Sequence, residues 1–154
     1  VRSRRQRQMC IRDRYYTVPI GKADVKREGS DITVFTYGLC VNYSLQAADV
    51  LAEEGIDVEV VDLRTVYPLD KSTIIERAKR TGKILLVTED NLEGSIMSEV
   101  SAIIAENCLF DLDAPIMRLA GPDVPAMPFS PPLEDEFMMN PDKIKEKMLE
   151  LARF

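Results

Sequence analysis

Four short runs in which nearly every position is apolar or β-branched alternate with longer runs whose apolar positions recur every three or four residues. The first, DITVFTY at 31–37, follows the turn-forming cluster REGSD and ends at Gly38, and so predicts a buried strand. A helix over 41–54 comes next, with Leu45, Ala48, Leu51 and Ala52 on one face and Gly55 at the left-handed position just past its end. VEVVDL at 58–63 is the second strand; reached through a helix by short connections, it lies parallel to the first by a right-handed crossover. Asp70 then caps a helix over 71–80 that turns Ile74, Ile75 and Ala78 inward and stops at Gly82. KILLVT at 83–88 has four successive apolar residues, the pattern of a parallel strand covered on both faces. A helix over 94–108 carries Ile96, Val100, Ile103 and Ile104 inward, and PIMRLA at 115–120 supplies a fourth strand. GPDVPAMPFSPP at 121–132, with five prolines, reads as an ordered loop anchored by Val124, Met127 and Phe129. A closing helix over 141–153 starts at Pro141 or Asp142 and lines its inner side with Ile144, Met148, Leu149 and Leu151.

This order, β-α-β-α-β-α-β and a terminal helix, predicts an α/β fold: a three-layer α/β/α sandwich around an open, mostly parallel sheet. A length of 154 residues with 45% hydrophobic content suits one domain over 15–154. No stretch of about 18 apolar residues occurs, which argues against a membrane helix. The net charge of −6 hides an asymmetry. Residues 1–14 hold six arginines and one acid, leaving 14 basic and 25 acidic residues beyond them, a body charge of −11. Such a body repels phosphate backbones, so nucleic acid is not an expected partner. Without apolar periodicity or a cleavage site, the arginine run reads as a non-native or disordered leader. Cys40 and Cys108 sit in apolar stretches with no C-x-x-C and no histidine in the chain, as expected of small buried residues in a reducing cytoplasm.

Ligands of such a sheet collect outside the carboxyl ends of its strands. Those ends carry Tyr37 and Gly38, Asp62 and Arg64, Glu89 and Asp90, and Gly121 and Asp123. The dinucleotide pattern needs three glycines, and YGLCVN at 37–42 offers one; the phosphate-loop pattern is missing. Nucleophile–base arrangements lack their usual histidine, which leaves Ser44 and Ser95 as helix-start or surface hydroxyls. Asp62, Glu89 and Asp123 have the oxygen chemistry for a divalent metal, although an arginine beside an acidic rim more often fixes loops or a subunit contact. Phe137, Met138 and Met139 form either a sticky surface or packing against the closing helix.

The run from YG through IDVEVVDLRTVYPLD and KILLVTED to LDAPIMRLAGPDVPAMPFSPPLE resembles the carboxyl-terminal domain of the E1 β subunit of thiamine-diphosphate-dependent 2-oxoacid dehydrogenases, the pyruvate, branched-chain and acetoin group. DLRTVYPLD is shared across the wider transketolase-like superfamily, and GPDVPAMPFSPPLE narrows the match to β subunits rather than a transketolase or deoxyxylulose-phosphate synthase. The resemblance implies an oxidoreductase subunit whose thiamine diphosphate and magnesium are held by parts not present here, so this chain binds no coenzyme and is inactive alone. A histidine frequent in that family before the glutamate of the third strand is replaced by Thr88 before Glu89. The implied partners are E1 α, a second E1 β and the peripheral subunit-binding domain of E2. Tyr37, Asp62, Arg64, Glu89 and Asp123 are then rim or subunit-interface residues, while Asp111, Asp113 and the carboxylate of Phe154 are candidates for the E2 contact. The alternative is a free-standing binding or regulatory module of the same fold.

Overall fold

The computed structural model describes residues 16–154; the leader expected over 1–14 lies outside the described residues. Five strands form one sheet: β1 (Asp24–Arg27), β2 (Ile32–Thr36), β3 (Val58–Asp62), β4 (Ile84–Asn91) and β5 (Met117–Gly121). Their order across the sheet is β1-β3-β2-β4-β5, with β2, β3, β4 and β5 parallel and β1 antiparallel to β3. The predicted class is therefore the observed one, and the four predicted strands are present within two residues at each end, except that β4 runs on to Asn91. β1 was not predicted, because DVKR has a polar, charged alternation and little apolar signal.

Two helices cover each face. α1 (Leu39–Glu53) and α5 (Pro141–Ala152) pack on one side, where Ile32, Val34, Val58, Val60, Leu85 and Val87 meet Ala48, Leu51, Ile144 and Met148. α2 (Lys71–Thr81) and α3 (Ile96–Cys108) pack on the other, against Phe35, Val61, Leu63, Ile84 and Leu86. Alternate residues of β2 thus enter different cores, and all five are buried. Burial on both faces is why the central strands read as continuous apolar runs.

Local signals fix the helix ends. Asp70 accepts the N–H of Thr73 at the start of α2, and Gly82 closes that helix at φ 66, a conformation costly for residues with a Cβ. α5 starts at Pro141, as its sequence predicted, and Asn140 caps it by accepting the N–H of Lys143 at 2.9 Å.

Several expected contacts differ. On α1 the inward face is Cys40, Val41, Ser44, Ala47, Ala48 and Leu51, while Ala52 is exposed, because the stripe that meets the sheet is centred on Ser44, Ala47 and Leu51, leaving Leu45 at its margin. Ser44 is consequently no surface hydroxyl; it is fully buried, and its Oγ has no hydrogen-bond partner among the described residues. Met97 is buried where Ile96 was expected, with Ile96 at the margin of the core. The proline-rich segment is not anchored by the residues named for that role: Val124 and Met127 are each more than two-fifths exposed and Phe129 is 99% exposed. Its end becomes a short helix, α4 (Pro131–Phe137), whose first turn accommodates Pro131 and Pro132. Lys143 donates to the carbonyls of Glu136 and Met138 at the end of α4, and Met139 enters the α1–α5 core.

Candidate functional site

The order of the parallel strands reverses between β2 and β4, so the connection after β2 leaves on the α1 side and that after β4 on the α3 side. This is the crevice where an open α/β sheet binds ligands. Here the crevice is closed at its floor. Tyr37, just past β2, and Thr88 of β4 join hydroxyls at 2.9 Å across it. On the α1 side, the buried Cys40 thiol is pushed up to about 12 by burial, and the Glu89 charge adds to that effect. A thiol so far from ionisation is no nucleophile. Glu89 itself sits on the exposed extension of β4.

Asp62 and Arg64 occupy the next strand end. Asp62 Oδ1 accepts the N–H of Arg64 at 2.9 Å, turning the chain so that Arg64 adopts φ 56. From there its guanidinium reaches Asp24 Oδ2 at 2.6 Å, and Lys26 joins the same carboxylate at 2.6 Å. Hydrogen bonding from Lys26 foremost, supported by Arg64, holds the Asp24 carboxyl below its ordinary range. The motif after the strand thus ties β1 to β3. Beyond it, Val66, Tyr67, Pro68 and Leu69 border an apolar groove of about 470 Å³ whose wall includes Ile96, and Tyr67 is 92% exposed.

Asp123 lies apart, in a groove of about 320 Å³ beside β5 with Arg118 and Lys147. Asp62, Glu89 and Asp123 are therefore not brought together, and no group of three metal-ligating side chains occurs among the described residues.

The remaining candidates lie at the opposite, amino-terminal end of the strands. The Asp113 N–H donates to the Gly82 carbonyl at 2.8 Å, and Asp113 lines a cavity of about 300 Å³ with Asp31, Lys83 and Ala152; Lys83 donates to the Ala152 carbonyl two residues before Phe154. Asp111 pairs with Lys79 at 3.3 Å, and Phe154 is exposed.

One charged group escaped notice in the sequence. Glu59 of β3 is fully buried, accepts from Thr33 Oγ1 at 3.1 Å and pairs with Arg77 at 3.0 Å, while Arg77 and Arg80 also reach Glu28. Burial pushes the Glu59 carboxyl up, and hydrogen bonding to Arg80 holds Glu28 down. A lone acid inside the run VEVV was the available signal, because a strand covered on both faces must supply a partner for it.

The described residues contain no helix long and apolar enough to cross a membrane. Residues 21–144 match the family model for the transketolase C-terminal domain. The chain is 70% identical over 139 residues to the 2-oxoisovalerate dehydrogenase subunit beta of Bacillus subtilis, covering 90% of this chain and 42% of that protein. It is 49% identical over 115 residues to the pyruvate dehydrogenase E1 component subunit beta of the same organism, covering 75% of this chain and 35% of that protein. Among solved structures, a split-gene transketolase, an inactive β4 tetramer, aligns with a TM-score of 0.76 at 24% identity, over 90% of this chain and 43% of the other. The chain spans about two fifths of the length of the curated relatives it matches.

Proposed function

From the premise that this chain belongs to the transketolase C-terminal domain family, we propose that it is the assembly domain of the β subunit of a 2-oxoacid dehydrogenase E1 component. The observation that carries the reading is the 70% identity to a 2-oxoisovalerate dehydrogenase β subunit along 90% of the chain. It also makes branched-chain 2-oxoacids the first substrates to test. In the complete enzyme, thiamine diphosphate with magnesium supplies the electron sink for decarboxylation, and the acyl group passes to a lipoyl domain of E2.

The residues described here do not fit that coenzyme. A magnesium diphosphate needs grouped oxygen ligands, whereas Asp62, Glu89 and Asp123 stand apart. The crevice at the strand-order reversal is bridged by Tyr37 and Thr88, with the Glu89 carboxylate close enough to raise the Cys40 thiol and to repel a diphosphate. The chain's part is mechanical: a rigid sheet presents its two ends to neighbouring subunits. E1 α and a second E1 β are the partners expected for the assembly. The peripheral subunit-binding domain of E2 suits the amino-terminal end, where Asp111 and Asp113, beside the exposed Phe154, offer negative charge to a basic surface.

Replacing the corresponding domain of the Bacillus subtilis 2-oxoisovalerate dehydrogenase β subunit with residues 16–154 tests the proposal. The chimera is expected to co-purify with its α subunit and decarboxylate 2-oxoisovalerate; a folded chimera that fails to assemble refutes it. Calorimetric titration with a basic E2 peripheral domain then tests the acidic end. Affinity should fall with added salt and with Asp113→Lys, and an unchanged affinity removes those acids from the contact.

A further inference from the structure

Glu59, fully buried in β3, has two cations within ion-pair reach among the described residues, Arg77 and Arg80 of α2, and shares both with the exposed Glu28. The sharing is unequal. Arg77 stands 2.8 Å from Glu28 and 3.0 Å from Glu59, and Arg80 stands 2.6 Å and 3.4 Å from the same two carboxylates. Each guanidinium therefore leans toward the outer acid. Arg77 Nε is itself buried without a hydrogen-bond partner among the described residues. From β2, Glu59 receives only the Thr33 hydroxyl at 3.1 Å, which Thr81 Oγ1 joins at 2.9 Å, while Arg27, next to Glu28 in the chain, pairs with Asp49 of α1. Cations held outward in this way leave the desolvation of the inner carboxylate under-compensated.

The turn from β1 to β2 lies directly over this end of β3. Gly29 is buried there, and a Cβ on it would stand 2.3 Å from the Glu59 nitrogen. Behind the turn, β1 has β3 as its strand partner, along a ladder interrupted by a bulge between Val25 and Arg27. A short edge strand with a broken ladder is the part of a sheet that detaches most easily. We propose that β1 and the turn at 28–30 form a pH-responsive flap over Glu59, shut while Glu59 is protonated and loosened as it ionises.

The sign follows from the two environments. With the flap shut, burial pushes the Glu59 carboxyl up; with it lifted, water returns the group toward its ordinary value of 4.5. A carboxyl raised in the shut state favours closure below that ordinary value, and the preference is lost as pH rises through the raised one. Glu28 is held down by Arg80, so its contribution has the opposite sign and fades only below its own ordinary value of 4.5. Above that value the response belongs to Glu59. Because Asp24 of β1 holds Arg64 at 2.6 Å, loosening of the flap also releases the turn after β3 at the other end of the sheet.

Hydrogen exchange of the 154-residue chain between about pH 5 and pH 8 tests the flap. With rates corrected for intrinsic chemistry, exchange from Asp24–Arg27 should rise with pH, by at most about tenfold per unit for one proton, and should run ahead of exchange from β2 throughout. Glu59→Gln should keep β1 protected and remove the pH dependence. Glu28→Gln should flatten the rise, because both guanidiniums are then free to serve Glu59. Exchange from β1 that ignores pH, slows as pH rises or keeps step with β2 overturns the proposal, and so does a slope left unchanged by either substitution. Slowing with pH would mark the Glu59–Arg77 pair as stronger than the cost of burial. The measurement concerns this chain alone, so its failure leaves the E1 reading standing, and failure of the chimera leaves the flap standing.

Discussion

Arg64 shows how much one residue position can carry. It holds φ 56, a conformation that costs a residue with a Cβ about 1 kcal/mol, and is kept there by the Asp62 carboxylate and by its own pair with Asp24. Arg64→Ala keeps the backbone cost and loses the ion pair, whereas Arg64→Gly loses the pair but relieves the backbone. Thermal unfolding should therefore find the glycine variant the more stable of the two by about 1 kcal/mol. Asp70 is the complementary case. Its carboxylate is almost fully buried and accepts from Ala23 N–H, Thr73 N–H and the hydroxyls of Ser72 and Thr73, which together outweigh the cost of burial and lower it to about 2. A lowered carboxyl stabilises the fold above its unfolded value near 3.8, and that contribution is lost as pH falls toward 2. Denaturant titrations should show Asp70→Asn costing about 2 kcal/mol at neutral pH and proportionately less as pH falls from 4 to 2. Asp70 was legible as a helix cap, but its bond to Ala23, 47 residues away, was not.

At the scale of elements, the well-predicted segments are those whose own pattern decides their state. β2 and β4 are uniform apolar runs, and α2 has both a capping acid and a terminal glycine. β1 and α4 are stabilised by something outside themselves: β1 by the β3 ladder and its ion pairs, α4 by the lysine of the next helix. The turn into β2 is similarly nonlocal. A Cβ at Gly29 would stand 2.3 Å from the backbone of Val58 and Glu59, a distance no packed atom tolerates. Gly29→Ala should cost about 3 kcal/mol, with hydrogen exchange rising first in Asp24–Arg27 as the edge strand detaches. If β1 amides keep their protection while the rest of the sheet loosens, the glycine serves the core instead of the edge.

For the whole molecule, the two ends of the sheet divide the surface. The carboxyl end presents Tyr67 and Phe129 almost bare, and the amino end presents Phe110, Phe154 and the acids Asp111 and Asp113. This many exposed aromatic side chains on a domain with well-filled cores fits a part that works against neighbours. The 154-residue chain alone is expected to turn over no 2-oxoacid, and detectable decarboxylation by the purified chain would contradict its assignment as an assembly domain.

The sequence by itself determined the layered α/β class, the four parallel strands, most helix ends and the family resemblance, because each follows from periodicity, caps or contiguous motifs that a chain carries locally. Only the tertiary structure decided which strand ends become neighbours. It separated Asp62, Glu89 and Asp123, bridged the crevice between Tyr37 and Thr88, placed Glu59 between two arginines and set β1 and β5 at the two edges of the sheet. Strand order arises from contacts between residues tens of positions apart, and no local pattern encodes which strands will become neighbours.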